Sequence, residues 1–412
     1  MRSAETELHL QVKLSASEAT VNGLVEALDR LEGELFATLV EALQRRHLDA
    51  VRAGEAAPIR CPRCGGERWV KRGRRSRQLE TRRGEMSFAL LQTTCRDCER
   101  TWSPFVERLG LKPHQRATEG LERRLVGLAT EISYRKASRW GERTMGATRS
   151  PMTIWRTVQR RGEQVAFTAE AEDARRLELD GTRLPVAGRA RGAPVQMAFA
   201  IGEQRAPRHR AKRLVGIGLG AGSWPEALPE GLAPELVVYD GERGLEQTVE
   251  DRYPEARAQR CVWHMVHKLE HQLWRGDWPK AERVQRVGEL AEHLFGPAPP
   301  EATRRVAIQG WAEHHFAPGS PGGRYIERAI GRLGYAEPSA LRTTGHAERA
   351  MRETNRRTDI GAPWSEPGIG NLVRLRLARR HNPDDYDALW DDNTTSEITL
   401  EAQVSQPAMS RL

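Results

Sequence analysis

The sequence predicts a multidomain protein in which a small metal-stapled module and a helical segment precede an α/β domain that is followed by a further helical stretch. Three observations carry that expectation. Four of the five cysteines fall into two C-x2-C pairs, apolar periodicity turns from helical to strand-like after residue 176, and 412 residues exceed what one hydrophobic core organises. Apolar residues at 38% suffice for sizeable cores, while 29% charged residues leave an extended polar surface. The chain has no run of 18 uncharged apolar residues and no signal-type stretch behind Met1-Arg2-Ser3, so neither a membrane-spanning nor an exported protein is expected. The net charge is +9, and only seven of the 65 basic residues are Lys, so its bearing on function depends on where the arginines sit.

The elements follow in chain order. Residues 1–57 form an N-terminal helical segment. Val21, Leu24, Val25, Leu28, Leu31, Leu35, Leu39 and Leu43 recur at three- and four-residue steps, the pattern of an amphipathic helix over 18–48. That face can pack on its own domain or pair with a second copy through a leucine seam. Residues 50–58 read as a linker. Residues 58–110 then form a zinc ribbon. Cys61, Cys64, Cys95 and Cys98 supply four thiolates for a closed tetrahedral Zn2+ site of structural type, able to fold a region too small to hold itself. Between residues 60 and 83 stand ten Lys and Arg against Glu67 and Glu80, a density suited to phosphate, with Arg72, Arg74 and Arg75 at its centre.

Residues 111–165 read as three short helices, a helix-turn-helix. Ser150 is the N-cap of the third helix and Pro151 its first residue. In a major groove that helix would present Arg149, Thr153, Arg156, Gln159 and Arg160 to double-stranded DNA. After residue 173 come strand-like runs at 177–180, 195–201, 214–219 and 236–240, a helix over 242–250, and a further short strand at Arg260-Cys261-Val262-Trp263. Asp180 and Asp240 each leave an apolar run into glycine, as at the carboxyl edge of an α/β sheet, and a pair of such carboxylates can share Mg2+. Residues 266–341 are helical and rich in Trp and His. Trp274 and Trp278 there read either as core or as stacking partners for a base. Residues 384–412 are expected to be a flexible tail.

Thr343-Thr344-Gly345-His346-Ala347-Glu348-Arg349 and Arg352-Glu353 with Arg356-Arg357-Thr358 resemble the catalytic-glutamate helix of Mutator-type transposases of bacterial insertion sequences. Asp240-Gly241-Glu242 is similar to their second-aspartate block, and Cys261-x2-His264 followed by Lys268 to the element after it. The ribbon resembles that of a zinc-bearing branch of the family. This resemblance implies a ribonuclease-H-like core over 173–265 and 342–383, split by a helical insertion at 266–341. It implies an Asp180, Asp240, Glu348 triad holding two Mg2+ or Mn2+, and cleavage and strand transfer at transposon ends and target DNA. A homodimer or larger assembly on DNA and a nucleoid-associated place in the bacterial cytoplasm go with it. Two rivals share the sequence features: a non-catalytic DNA-binding regulator derived from a transposase, and a same-fold nuclease without strand transfer. Glu353 competes for the role of Glu348, but five residues turn it about 140° around the helix. Arg352 shares the face of Glu348 and could hold a phosphate. His264 is expected near the acids and in contact with DNA, with Cys261 buried.

Overall fold

The computed structural model describes residues 21–147, 149–168, 174–206, 209–242, 244–296, 301–333 and 342–390. Residues 1–20, the outer part of the expected tail at 391–412, and Arg243 lie outside them. The chain divides into two compact units: residues up to Glu122 with Trp140–Thr148, and Arg123–Arg139 with Arg149 onward.

In the first unit, α1 (Val21–Arg52) packs on a three-stranded antiparallel sheet of β1 (Trp69–Thr81), β2 (Gly84–Cys95) and β3 (Thr101–Trp102), followed by one turn, α2 (Phe105–Arg108). Strand alternation decides the faces: Met86, Phe88 and Leu90 of β2 point inward, whereas β1 is exposed from Val70 to Ser76 and buries Leu79. Val40, Leu79, Phe88, Leu90 and Phe105 form the core, with Phe36 set edge-on to Phe88 at 5.6 Å. Gln44 of α1 donates to Ala89 O at 2.9 Å and accepts from Leu91 N at 2.9 Å, occupying backbone groups of β2 as a neighbouring strand would.

Next come α3 (Glu119–Ala129), α4 (Tyr134–Met145) and α5 (Pro151–Glu163). The expected N-cap is present: Ser150 Oγ accepts from Thr153 N at 3.1 Å, with Pro151 in the first turn. The unit boundary runs through α3 and α4, while α5 lies wholly in the second unit.

The second unit is built on a five-stranded sheet. β4 (Arg176–Val186), β5 (Arg189–Ala206) and β6 (His209–Leu219) form an antiparallel meander. After α6 (Trp224–Ala227), β7 (Leu236–Tyr239) pairs parallel with β4; after α7 (Leu245–Arg252), β8 (Arg257–Arg260) pairs parallel with β7. The strand order is β6-β5-β4-β7-β8. Leu177 and Leu179 join Tyr239, Leu245 and Val249 in the core on one face, so the intervening Glu178 and Asp180 project from the other.

Then follow α8 (Val262–Arg275), α9 (Lys280–Phe295), α10 (Glu301–His315) and α11 (Pro321–Ile330), which share a core of their own including Leu269, Leu290, Ile308, Phe316 and Ile326. The chain closes with α12 (Gly345–Thr358), α13 (Glu366–His381) and α14 (Pro383–Ala388).

Three expectations are corrected. Asp180 is not at a strand end, because β4 continues to Val186 through an antiparallel ladder with β5 that includes Gly181 and Gln196. The strand expected at 260–263 ends at Arg260; Cys261 is already the N-cap of α8, whose buried face is Val262, Met265, Leu269 and Leu273. The expected loose tail begins as helix α14, and Tyr386 and Trp390 are buried, with the Arg161 guanidinium 4.6 Å from the Trp390 ring centre.

Candidate functional site: an acid cluster and a four-cysteine centre

The parallel pairing of β4 with β7 ends at Leu179 opposite Tyr239, and the next residues on the two strands are Asp180 and Asp240. Register therefore sets the two aspartates side by side, a placement that sixty residues of intervening sequence do not disclose. Past Asp240 the backbone turns at Gly241 with φ +76°, which favours glycine, and a Cβ there would have to displace the Arg260 guanidinium, 2.5 Å away. Glu242 N closes the turn on Asp240 Oδ1 at 2.9 Å, and Lys268 Nζ sits 3.3 Å from Oδ2.

Asp180 is 4% exposed and accepts Gly181 N at 2.8 Å and the Thr344 hydroxyl at 3.1 Å. Burial, then the nearby Asp240 carboxylate, raises its pKa to about 7 despite those hydrogen bonds, and Glu348 adds to the rise. Glu348 lies in the first turn of α12; burial raises its pKa as well, against the pull of Arg352.

Two residues that sequence reasoning missed bring α12 here. Glu178, fully buried, accepts His346 N at 2.9 Å, Ala347 N at 3.1 Å and the His346 ring at 2.7 Å. It thereby satisfies the orphan donors at the positive end of the helix. Thr344 is the N-cap residue but makes no side-chain cap; its hydroxyl goes to Asp180 instead. The signal for Glu178 was present in Leu177-Glu178-Leu179-Asp180, where period-2 alternation puts both acids on one face.

His264 stands among the acids, as expected. Its Nε2 is 3.6 Å from Glu348 Oε1 and its Nδ1 3.4 Å from the Thr344 hydroxyl. Burial is the main force bringing its pKa down to about 4, so the ring is neutral near pH 7. The ring meets the Thr344 hydroxyl through Nδ1 and turns Nε2 toward the Glu348 carboxylate. Asp180, His264 and Glu348 each offer one atom within 4.8 Å of the others, a set that can hold a metal ion. The side chain expected to touch DNA thus belongs to the cluster itself. Cys261 is buried, accepts Thr344 N at 3.4 Å and is in neither metal-competent group among the described residues. Glu353 faces elsewhere, paired with Arg380 at 2.5 Å.

In the first unit, Cys61, Cys64, Cys95 and Cys98 converge, with Sγ–Sγ separations of 3.6 Å for Cys61–Cys98 and for Cys64–Cys95. A tetrahedron of about 2.3 Å Zn–S bonds has edges of about 3.8 Å, so the thiolates fit Zn2+. Each knuckle closes with its second cysteine followed by a left-handed residue, Gly65 at φ +73° and Glu99 at φ +58°. Of the basic residues on β1, Arg74 is already paired with Glu41 at 2.8 Å and Arg72 reaches Thr101 Oγ1 at 3.3 Å, while Arg75 is exposed.

Helix α5 buries Ile154, Thr157, Val158, Arg161 and Gly162, and a Cβ at Gly162 would lie 2.6 Å from the Asn371 carbonyl of α13. Gln159 donates to Gly368 O at 3.3 Å and accepts from Asn371 Nδ2 at 3.0 Å. Its amide is spent on α13, which corrects the expectation that it faces a groove. Arg156 and Arg160 lie on the exposed face; Arg149 and Thr153 are half-buried. Arg352 is exposed one turn beyond Glu348.

Fold and site together define a class: a protein with a four-cysteine centre able to hold zinc in one unit and, in the other, an acid and imidazole cluster able to hold a metal ion on a five-stranded mixed sheet. Residues 4–287 match the family described as Transposase, Mutator family, and the chain belongs to that family. It is 30% identical over 220 residues to the transposase for insertion sequence element IS905 of Lactococcus lactis subsp. lactis, an alignment covering 50% of this chain and 53% of that protein. The chain thus spans about half the length of the curated relative it matches. Among the described residues no helix is long and apolar enough to cross a membrane.

Proposed function

We propose that this protein is a DNA transposase whose core is ribonuclease-H-like, with Asp180, Asp240 and Glu348 as the carboxylates of a two-cation centre. The sheet supports the fold reading: an antiparallel three-strand meander extended by two parallel strands, in the order β6-β5-β4-β7-β8. Helices α8 to α11, with a core of their own, are the insertion between its two parts. The observation that carries the mechanism is the in-register aspartate pair with Glu348 and His264 closing on Asp180.

Mg2+ or Mn2+ held there would activate an attacking water or 3′-hydroxyl and stabilise the leaving oxygen at a phosphodiester. Asp180, Asp240 and Glu348 would hold that charge, with His264 Nε2 beside Asp180 and Glu348 and Lys268 against the Asp240 carboxylate. Glu178 holds the first turn of α12, and so Glu348, in place. The zinc ribbon, through Arg72 and Arg75, and α5, through Arg156 and Arg160, supply the surfaces that grip transposon ends and target DNA.

The test is cleavage and joining of a labelled transposon end by purified protein with Mg2+. Asp180→Asn and Glu348→Gln should each lower both reactions by at least a hundredfold while end binding persists. Binding without cleavage by the unaltered protein would favour a regulator instead, and cleavage without joining a nuclease.

A further inference from the structure

Behind the acid cluster, at the far end of α12, lies a cleft of about 310 Å³ lined by Glu131, Glu353, Arg356, Arg357, Arg376 and Arg380. Arg357 is its most unusual member. It is 3% exposed, its Nε donates to Ala129 O at 3.0 Å, and its guanidinium lies 5.2 Å from the Trp364 ring and 5.7 Å from that of Tyr134. Both terminal nitrogens, Nη1 and Nη2, are buried without a hydrogen-bond partner among the described residues. Donors removed from water with nothing to receive their protons are costly, the more so on a charged group.

The remaining charges do not resolve this. Glu131 is engaged by Arg376 at 2.7 Å, Arg380 at 3.0 Å and Arg379 at 3.3 Å, and Glu353 by Arg380 at 2.5 Å. Four guanidiniums against two carboxylates leave a surplus of two positive charges in the lining, and the two outside the ion pairs to Glu131 and Glu353 are Arg356 at the exposed rim and Arg357 in the wall. Arg376, 4% exposed, is fixed by Glu131 and by Glu353 O at 3.1 Å.

We propose that this cleft is a phosphate-binding site. A tetrahedral oxyanion offers oxygens to the paired donors of Arg357 and to Arg356 at once, and its charge matches the surplus. Glu348 and Arg356 stand eight residues apart on one helix, about 12 Å along its axis. A phosphate from a nucleic-acid strand is thus one source, and a small phosphate-bearing molecule the other. The inference stands apart from the catalytic reading, since none of its residues belongs to the acid cluster.

Inorganic phosphate titrated into the full-length zinc-loaded protein at constant ionic strength, with calorimetric detection, tests it. Saturable binding is expected, weakened at least tenfold by Arg356→Gln and by Arg357→Lys and unaltered by Asp180→Asn. Arg356 is exposed, so its variant decides the matter even if Arg357→Lys fails to fold. Equal affinity in Arg356→Gln and the parent, or no binding above a chloride control, would overturn the proposal. If duplex DNA displaces the phosphate, and Arg356→Gln lowers the salt slope of DNA binding by about one, the source is the strand. Phosphate binding that DNA leaves untouched supports the site with a small-molecule occupant.

Discussion

Three buried side chains are held away from their ordinary charge states, and their effects on stability run in different directions. Asp180, raised to about 7, binds its proton more tightly folded than unfolded, so it lowers stability as pH climbs from about 4 to about 7. His264, lowered to about 4, does the opposite over nearly the same window, because only the unfolded ring charges there. The two slopes oppose each other, and His381 adds to the side of His264. Burial first, then Lys212 and the arginines beside it, brings His381 down to about 3, and its ring stands edge-on to Phe199 at 5.4 Å. Its contribution is complete above the unfolded value near 6.5 and is lost as pH falls from there toward 3. Urea midpoints measured from pH 7 to pH 4.5 should therefore fall with acid, by at most about 1.4 kcal/mol per pH unit from this residue. His381→Phe keeps the aromatic contact and should flatten that fall. An unchanged slope in the variant would place the acid sensitivity elsewhere.

At the scale of elements, α5 shows how a correct local reading can carry a wrong contact. Its cap and first turn follow from Ser150-Pro151 alone, but which face meets a partner depends on α13, which begins at Glu366, far beyond the last strand's end at Arg260. Nothing in the sequence of α5 announces that Gly162 and Gln159 will meet Asn371. We expect Gln159→Ala to destabilise the second unit by about 0.5–1.5 kcal/mol in denaturant unfolding, with no change in the DNA sequence preferred. Arg156→Gln should leave stability within about 0.5 kcal/mol and weaken or retarget binding in a competition assay. The reverse pattern would return Gln159 to the DNA surface. The same distinction runs through the rest of the fold. The cysteine spacing, the aspartate contexts and the Thr343-to-Thr358 pattern were legible because each is a local signature. The continuation of β4 past Gly181 was not, since an antiparallel partner at Gln196 overrides the glycine. The start of α8 at Val262 was hidden in a short apolar run that suits strand and helix equally. Helix α13 escaped notice because it is buried on most sides, with Arg376 among its buried residues, and so lacks an amphipathic stripe.

Across the described residues, two compact units carry two metal-competent centres of opposite chemistry, soft sulfur donors in one and oxygen and imidazole donors in the other. Among the described residues the first unit has a small core of five buried residues, and its four converging cysteines could hold a zinc ion. Structural zinc in small domains is worth about 10–16 kcal/mol, comparable with the entire 5–15 kcal/mol stability of an ordinary domain. Zinc removal should therefore unfold the first unit outright. The second unit holds the large sheet core and the separate core of α8 to α11, neither of which includes a cysteine ligand. Scanning calorimetry should then resolve two transitions. A strong zinc chelator or Cys61→Ser should abolish the first and leave the second in place, at a metal content of about one zinc per chain before treatment. Mg2+ should act only on the second, adding about 2.7 kcal/mol at a hundredfold excess over its dissociation constant and raising that midpoint by several degrees. Asp180→Asn should remove the Mg2+ response without touching the zinc-dependent transition. A single transition that both metals shift together would mean that the units fold as one body, and the assignment of one metal to each would lose its support.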